Sequence, residues 1–218
     1  MLKDADKNQR VLDIGCSSGI LLNDLIDMGF KAQNLYGIDI SDKAVTNAKQ
    51  NGIENAFVMD AQNIQLDKKF DVLIASDCLE HLQDDHKALQ NWYSLLKPGG
   101  KLYVFVPAFM LLWSEHDEVN MHYRRYTKQE LKSKLLQNGF EVKKANYWNI
   151  LLFPPVALVR SLSRMIKGRQ KNTETNGDLK KTTFNTPLLG LLNFENKFLP
   201  HISAPFGVSA YCVVTRPE

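Results

Sequence analysis

The chain has 218 residues, of which 44% are hydrophobic and 23% charged. That is the balance of an ordinary globular protein and excludes a disordered, collagen-like or disulfide-scaffold chain. Lys and Arg number 27 against 24 Asp and Glu, a net charge of +3, too small to mark a nucleic-acid-binding protein by bulk electrostatics. The length suits one domain, residues 1–218, with an elaboration.

The first ten residues, MLKDADKNQR, hold no apolar stretch of the kind a secretion signal needs. Cys16, Cys78 and Cys212 are odd in number and irregularly spaced, so the expected compartment is the reducing cytoplasm. Short apolar runs then alternate with helix-period segments as far as Val106, the pattern of a parallel sheet built from strand-helix units. Strands are expected at Arg10–Ile14, Asn34–Ile38, Ala56–Met59, Phe70–Ala75 and Lys101–Val106. Between them, Leu21, Leu22, Leu25 and Ile26 recur at helical spacing up to Gly29; Ser41 opens a helix that ends at Gly52; and Asp84 opens one with Ala88, Leu89, Trp92, Leu95 and Leu96 as its apolar stripe. Lys97-Pro98-Gly99-Gly100 reads as a turn into the fifth strand.

Further on, Thr127 and Glu130 have capping-box spacing ahead of a helix that runs to Gly139. Two more strands, Phe140–Tyr147 and Ser209–Thr215, are expected to pair, the last of them antiparallel. The predicted fold is therefore α/β: a Rossmann-like, seven-stranded, mostly parallel sheet with helices on both faces. A lid segment at 107–126 and a helical insertion at 148–207 are added to it. Within the insertion, residues 168–183 lack apolar periodicity and read as a loop, and residues 187–199 as a second amphipathic segment.

The first strand runs into Asp13-Ile14-Gly15-Cys16-Ser17-Ser18-Gly19 and then a helix, a turn that brings a ligand against backbone amides. A dinucleotide fingerprint would need glycine where Ser17 and Ile20 stand, which disfavours a nicotinamide oxidoreductase. Asp13 would repel a pyrophosphate and attract an ammonium group. Asp39, ending the second strand, suits the two hydroxyls of a ribose; Asp60-Ala61 and Ser76-Asp77 follow the third and fourth strands, the former in reach of an adenine amino group. An amino-acid end, a ribose and an adenine along consecutive strand ends describe S-adenosylmethionine (SAM).

At this point the chain resembles the class I SAM-dependent methyltransferases, in the small-molecule group typified by ubiquinone-type O-methyltransferases. The resemblance rests on VLDIGCSSG, YGIDIS, VMDAQNI, FDVLIASDCLEHL and LLKPGGKLYVFVP in that order, and covers residues 10–147 and the last strand. It implies that Asp13, Gly15 and Gly19 shape the methionine pocket, Asp39 binds the ribose, and Asp60 with Ala61 frames the adenine. Cys16, Ser17, Ile40 and Ser76 are the adjoining cofactor-contact candidates. Ser17 stands where the family usually has its middle glycine. Only ten residues precede Val11, so the family's helix ahead of the first strand is expected to be absent, with either the start truncated or another element covering that edge.

The activity implied is methyl transfer (EC 2.1.1.-) to a small or lipid-linked acceptor, with O-methylation foremost. A SAM-binding module without turnover and an RNA or protein N-methyltransferase are the alternatives. The fourth strand ends Ser76-Asp77-Cys78-Leu79, without the proline-rich turn of exocyclic-amine methyltransferases, so no nucleic-acid partner is expected. His81, His116 and His122 are the candidate general bases. Trp113, Tyr123, Arg124, Arg125 and Tyr126 in the lid are the candidate acceptor contacts. The alternative for the arginines is that they pair with Glu115, Asp117 and Glu118 to hold the loop shut. A set made of His116, Asp117 and His122 has no fixed ligand geometry, and no metal is expected.

Finally, Arg160, Arg164 and Lys167 recur at i, i+4 and i+7 beside Leu158, Leu162, Met165 and Ile166, an amphipathic helix with a basic stripe. From Lys167 to Lys181 five basic and two acidic residues account for the whole net charge. Residues 150–181 therefore suit peripheral contact with an anionic inner-membrane surface. The competing expectation is an apolar face packed on the sheet and a solvated stripe.

Overall fold

The computed structural model describes residues 2, 4–167, 185–198 and 202–218. Seven strands form one sheet: β1 (Val11–Ile14), β2 (Leu35–Asp39), β3 (Ala56–Val58), β4 (Phe70–Ser76), β5 (Leu96–Pro107), β6 (Glu141–Trp148) and β7 (Ser209–Thr215). Their order is β3-β2-β1-β4-β5-β7-β6. The first five strands pair in parallel, and β7 lies antiparallel between β5 and β6. The expected sheet is present. β2 begins one residue late because Ala32–Asn34 form a 3-10 turn ahead of it.

β1 is buried along its whole length, as a central parallel strand covered on both faces must be. One core gathers Leu12, Ile14, Leu73, Trp92, Leu102 and Leu131, and the other Val11, Leu22, Leu35, Val45, Ala48 and Tyr103. The helices that cover the sheet start where the sequence places their caps. Ser41 Oγ accepts from the Ala44 amide before α2 (Asp42–Gln50), after α1 (Ile20–Asp27). Asp84 accepts from the Lys87 amide at the head of α3 (Asp85–Leu95). Lys97–Gly100 does not precede β5 but lies within it. Leu96 pairs with Phe70 and Lys101 with Val72, and the turn residues form an irregularity at a point where Gly99 has φ +73°.

The lid contains a helix the periodicity did not announce, α4 (Glu115–Val119), and is followed by α5 (Lys128–Gln137) with its reciprocal Thr127–Glu130 cap. The insertion contributes α6 (Phe153–Lys167) and α7 (Asn185–Phe198). Glu195 of α7, only 5% exposed, accepts from the amides of Ile150 and Leu151 at 2.9 and 3.1 Å. Residues 168–183, read as a loop, lie outside the described residues, as does His201. Arg160 departs from the expected solvated stripe: its guanidinium donates to the Leu112 carbonyl and lies 4.0 Å from Asp117. The side chains of α6 that do face solvent include Leu158, Val159 and Leu162. No helix among the described residues is long and apolar enough to cross a membrane.

Candidate active site

The site forms where β1, β2 and β4 end. Asp13 is buried in β1; after it Gly15 takes φ +82°, and the amides of Gly15 and Cys16 both donate to the Ile38 carbonyl, at 2.9 and 2.8 Å. Ser17 has φ +48°, the left-handed region that favours glycine. A serine there carries strain of about 1–2 kcal/mol, which explains on physical grounds why a glycine is the usual occupant. Gly19, at φ +79°, caps α1; a Cβ on it would stand 2.9 Å from Ile53 and 3.3 Å from Ala48.

The turn is tied to β2 by a carboxylate. Asp39 Oδ2 accepts from the Ser17 amide and Oδ1 from the Ser41 amide, each at 2.9 Å. Each oxygen of a carboxylate has a second lone pair, so Asp39 retains capacity for two further donors. The close approach is made possible by Gly37, where a Cβ would stand 2.7 Å from Cys16 Sγ. Nothing in the sequence pattern singles out Gly37. Burial, with the charge of Asp39 second, pushes Asp13 up to about 7. Burial also pushes the Cys16 thiol up to about 12, so it is not a nucleophile at neutral pH.

The remaining cofactor candidates line the same edge. Ile40 is 76% exposed directly after Asp39. Asp60 is exposed and accepts from the Gln62 amide at 2.8 Å, and the Ala61 carbonyl accepts from Trp92 Nε1 at 2.8 Å. Ser76 ends β4 beside Asp77, whose φ of +49° marks a second left-handed residue. A Cβ on Gly15 would lie 3.3 Å from Cys78, so the β1 turn and the β4 end nearly touch. Left-handed glycines at which a Cβ would crowd its neighbours, two carboxylates in succession and an exposed apolar side chain together fit a zwitterionic nucleoside. They do not fit a pyrophosphate.

The lid residues divide into two groups. Asp117 is fully buried; its Oδ1 is 2.7 Å from Arg125 Nε and 2.9 Å from His122 Nδ1, and its Oδ2 accepts from the Ser114 amide and hydroxyl. Burial alone would raise this carboxyl, but the bonds from Arg125 and Ser114 outweigh it and hold it down at about 2. Arg125 also donates to the Ala108 carbonyl, and the Tyr126 hydroxyl donates to Asp85 at 3.0 Å. Arg125 and Tyr126, 6% and 2% exposed, are thus frame residues of the lid and not the acceptor contacts the sequence suggested. Both are consumed by buried carboxylates. Arg124 pairs with Asp85 at 2.9 Å, not with the lid acids. Tyr123 is 54% exposed, and Trp113 is partly buried, its indole 3.4 Å from Glu118.

The three candidate bases separate in the same way. His116 is exposed on α4 and bonded to Asn120. His81 and His122 meet, ring centroids 4.5 Å apart and perpendicular, beside Asp77 and the buried Glu80. Burial, then the neighbouring His122, lowers His81, and burial pushes Glu80 up to about 8. Glu80 was not singled out from the sequence. Its only signal was its place beside His81 in a single turn, Leu79–His81, directly after β4.

The fold is that of the class I SAM-dependent methyltransferases, and the family model described as a methyltransferase domain matches residues 12–104, less than half of the chain. Among curated proteins, the chain is 30% identical over 108 residues to the ubiquinone biosynthesis O-methyltransferase of Colwellia psychrerythraea, covering 46% of this chain and 43% of that one. It is 32% identical over 107 residues to the Haemophilus ducreyi protein of the same name, 44% of each chain being covered. The chain thus spans less than half the length of these relatives. Among solved structures, phosphoethanolamine N-methyltransferase 2 of Haemonchus contortus, in complex with SAM, superposes with a TM-score of 0.60 at 18% identity. That match covers 97% of this chain and 49% of that one. The cyclase SpnF gives 0.59 at 18% identity, over 98% and 77%.

Proposed function

We propose that the chain is a SAM-dependent methyltransferase that methylates a hydroxyl of a small or lipid-linked acceptor. The observation that carries the reading is the double role of Asp39, which fixes the glycine turn through Ser17 and keeps lone pairs for a ribose. Asp13 and the turn from Gly15 to Gly19 would hold the methionine end, Asp39 the ribose, and Ile40, Asp60 and Ala61 the adenine. Bound there, SAM supplies a methyl group on a sulfonium, open to in-line displacement. The chain's part is to orient the acceptor and exclude water. His81 and His122 at the β4 end, and the names of the curated relatives, support oxygen as the receiving atom.

Release of S-adenosylhomocysteine from SAM in the presence of phenolic and polyprenyl-phenolic acceptors tests the activity. A second reading is a module that binds SAM without transferring methyl; it is favoured only by the fact that a cyclase shares the fold. SAM binding without product from any acceptor would favour it. A lipid-linked acceptor is supported by Leu158, Val159 and Leu162 on α6 and Met110 and Leu111 on the lid, each between 49% and 61% exposed, together with the positive charge that follows α6. Sedimentation with anionic vesicles at low salt should carry the chain down, and less of it after Leu158→Ser with Val159→Ser. A chain that stays in solution removes the interfacial acceptor.

Asp39→Ala is expected to weaken SAM by about 1.5–3 kcal/mol, roughly tenfold to 150-fold in Kd. Asp39→Asn, which keeps one acceptor oxygen, should fall between the two. Calorimetry on folded variants decides, and unchanged affinity would reject the ribose assignment.

A pH dependence follows from Asp13, whose carboxyl titrates near 7 in the free protein. The cofactor ammonium pairs with the ionised form. Affinity should therefore rise about tenfold per pH unit up to 7, level off, and decline above about 8 as a free α-amino group deprotonates. Below 7, binding should release a proton, measured by calorimetry in buffers of different ionisation enthalpy. Flat affinity from pH 5.5 to 7.5 would separate Asp13 from the ammonium.

A further inference from the structure

The face that α6 turns toward the protein is not the one its composition suggests. Among its described side chains, Phe153, Val156, Ala157 and Arg160 are the partly buried ones, and they fall at i, i+3, i+4 and i+7 of one stripe. Leu158, Val159 and Leu162 point to solvent. An arginine thus ends the inward stripe while three aliphatic side chains stay outside, a reversal that requires a polar partner within. The partners are in the lid. Phe153 stands edge-on to Phe109, ring centroids 5.5 Å apart, where the lid leaves β5, and Phe109 is also stacked on Tyr147 at 4.9 Å. About 10 Å further along α6, two helical turns on, the Arg160 guanidinium donates to the Leu112 carbonyl and lies 4.0 Å from Asp117 Oδ2. Leu112 closes the 3-10 turn Met110–Leu112, and a carbonyl at such an end has no acceptor role within the turn.

We propose that Arg160 is a positioning residue, which latches the lid to α6 through Leu112 and Asp117 and thereby holds His122 against His81 at the end of β4. The rest of the lid is organised around Asp117. Arg125 and His122 bond its Oδ1, Ser114 donates to its Oδ2, and its carbonyl accepts the His122 amide. Arg125 belongs to the lid and moves with it. Among the described residues, Arg160 is the cation that reaches Asp117 from the insertion, so it fixes where the lid sits, whereas Arg125 fixes how the lid is folded. Asp117 is fully buried, so salt screens the attraction little.

The effect on methyl transfer rests on the methyltransferase reading; the latch itself does not. In-line displacement tolerates little misplacement, and a shift of about 1 Å can cost roughly 100-fold in rate. A released lid would also admit water to the end of β4. The cofactor edge from Asp13 to Asp60 lies on other strands and makes no use of Arg160, so cofactor affinity and turnover should respond differently to its loss.

The test uses the full chain. Arg160→Ala should speed hydrogen exchange at least about tenfold at the amides of Ser114, His122 and Tyr123, read by NMR, and leave β1, α1 and α2 unchanged. The melting temperature should fall by less than about 4 °C, the loss of one hydrogen bond in a chain of this length. SAM affinity should stay within about twofold by calorimetry, while kcat falls at least about tenfold. Arg160→Lys keeps the charge beside Asp117 but not the fork, and should lie between. If Arg160→Ala does not fold, the lysine variant gives the same reading. Unchanged lid exchange in the folded variants overturns the latch. Exchange raised throughout, with SAM affinity and kcat falling together, overturns it in favour of a structural role, and raised lid exchange with unchanged kcat overturns the positioning role. Faster lid exchange in the variants, with no methyl transfer by the unaltered chain to any acceptor, keeps the latch and removes the methyltransferase reading. Turnover by the unaltered chain, with lid exchange and kcat unmoved by either substitution, removes the latch alone.

Discussion

Arg125→Ala is expected to destabilise the protein by about 3–5 kcal/mol, the range for removing one member of a buried ion pair. The guanidinium is 6% exposed and its partner Asp117 fully buried. Without Arg125, Asp117 keeps Ser114 and His122 but loses its 2.7 Å charged bond, and the Ala108 carbonyl loses a donor. For a chain of this length the melting temperature should fall by roughly 10 °C. Arg125→Lys should recover part of this, since a lysine keeps the charge but lacks the fork that reaches both Asp117 and Ala108. The double variant Arg125→Ala with Asp117→Ala should be less destabilised than the sum of the single ones, because it no longer strands a charge. A loss below 1 kcal/mol for Arg125→Ala would contradict the frame role and return this residue to the acceptor site.

The second large effect falls on the glycine turn. Gly15→Val should lower SAM affinity more than about 100-fold, the largest loss expected for any single change at this edge. Two independent costs meet there. Its φ of +82° is a conformation that disfavours β-branched residues most. A Cβ would also lie 3.3 Å from both Cβ and Sγ of Cys78, so the valine methyl groups have only the ligand's side of the turn to occupy. Gly15→Ala separates the terms, carrying the backbone strain with little intrusion. It should lose stability of about 1–2 kcal/mol and retain measurable binding. Gly15→Val that folds and binds SAM normally would remove the turn from the site.

How much of this could be read from the sequence depended on whether the signal was local. The alternation of apolar runs, and the caps at Ser41, Asp84 and Thr127, rest on contacts three residues apart, and the structure has them. The placing of Asp13, Asp39 and Ser76 on one edge was legible because strand ends in a parallel sheet fall together, and that needed only the strand assignment. The lid was not legible in detail. Whether Arg125 turns inward or outward depends on Asp117 being buried, and that depends on α4, a helix too short for periodicity to reveal. Ser114 and Asp117 at capping spacing were the available sign. Glu80 and His122 meet through the return of the lid over β4, where the Tyr123 amide donates to the Glu80 carbonyl at 2.9 Å. No pattern along the chain encodes that encounter. Gly37 is identified only by what it would strike.

Glu195 has a consequence for how the chain tolerates change. By accepting from the amides of Ile150 and Leu151, it fastens α7 to the root of the segment leading into α6, so the insertion is closed at its base by its own hydrogen bonds. For a loop whose ends are pinned, closure entropy grows only with the logarithm of its length, about 0.6 kcal/mol for each doubling. Residues between the two helices could therefore be lengthened, shortened or exchanged at little energetic penalty to the sheet. Glu195 shares that fastening with Arg160, which ties α6 to the lid through the Leu112 carbonyl, so a change of length between the helices would leave the strand ends that carry Asp13, Asp39 and Ser76 undisturbed.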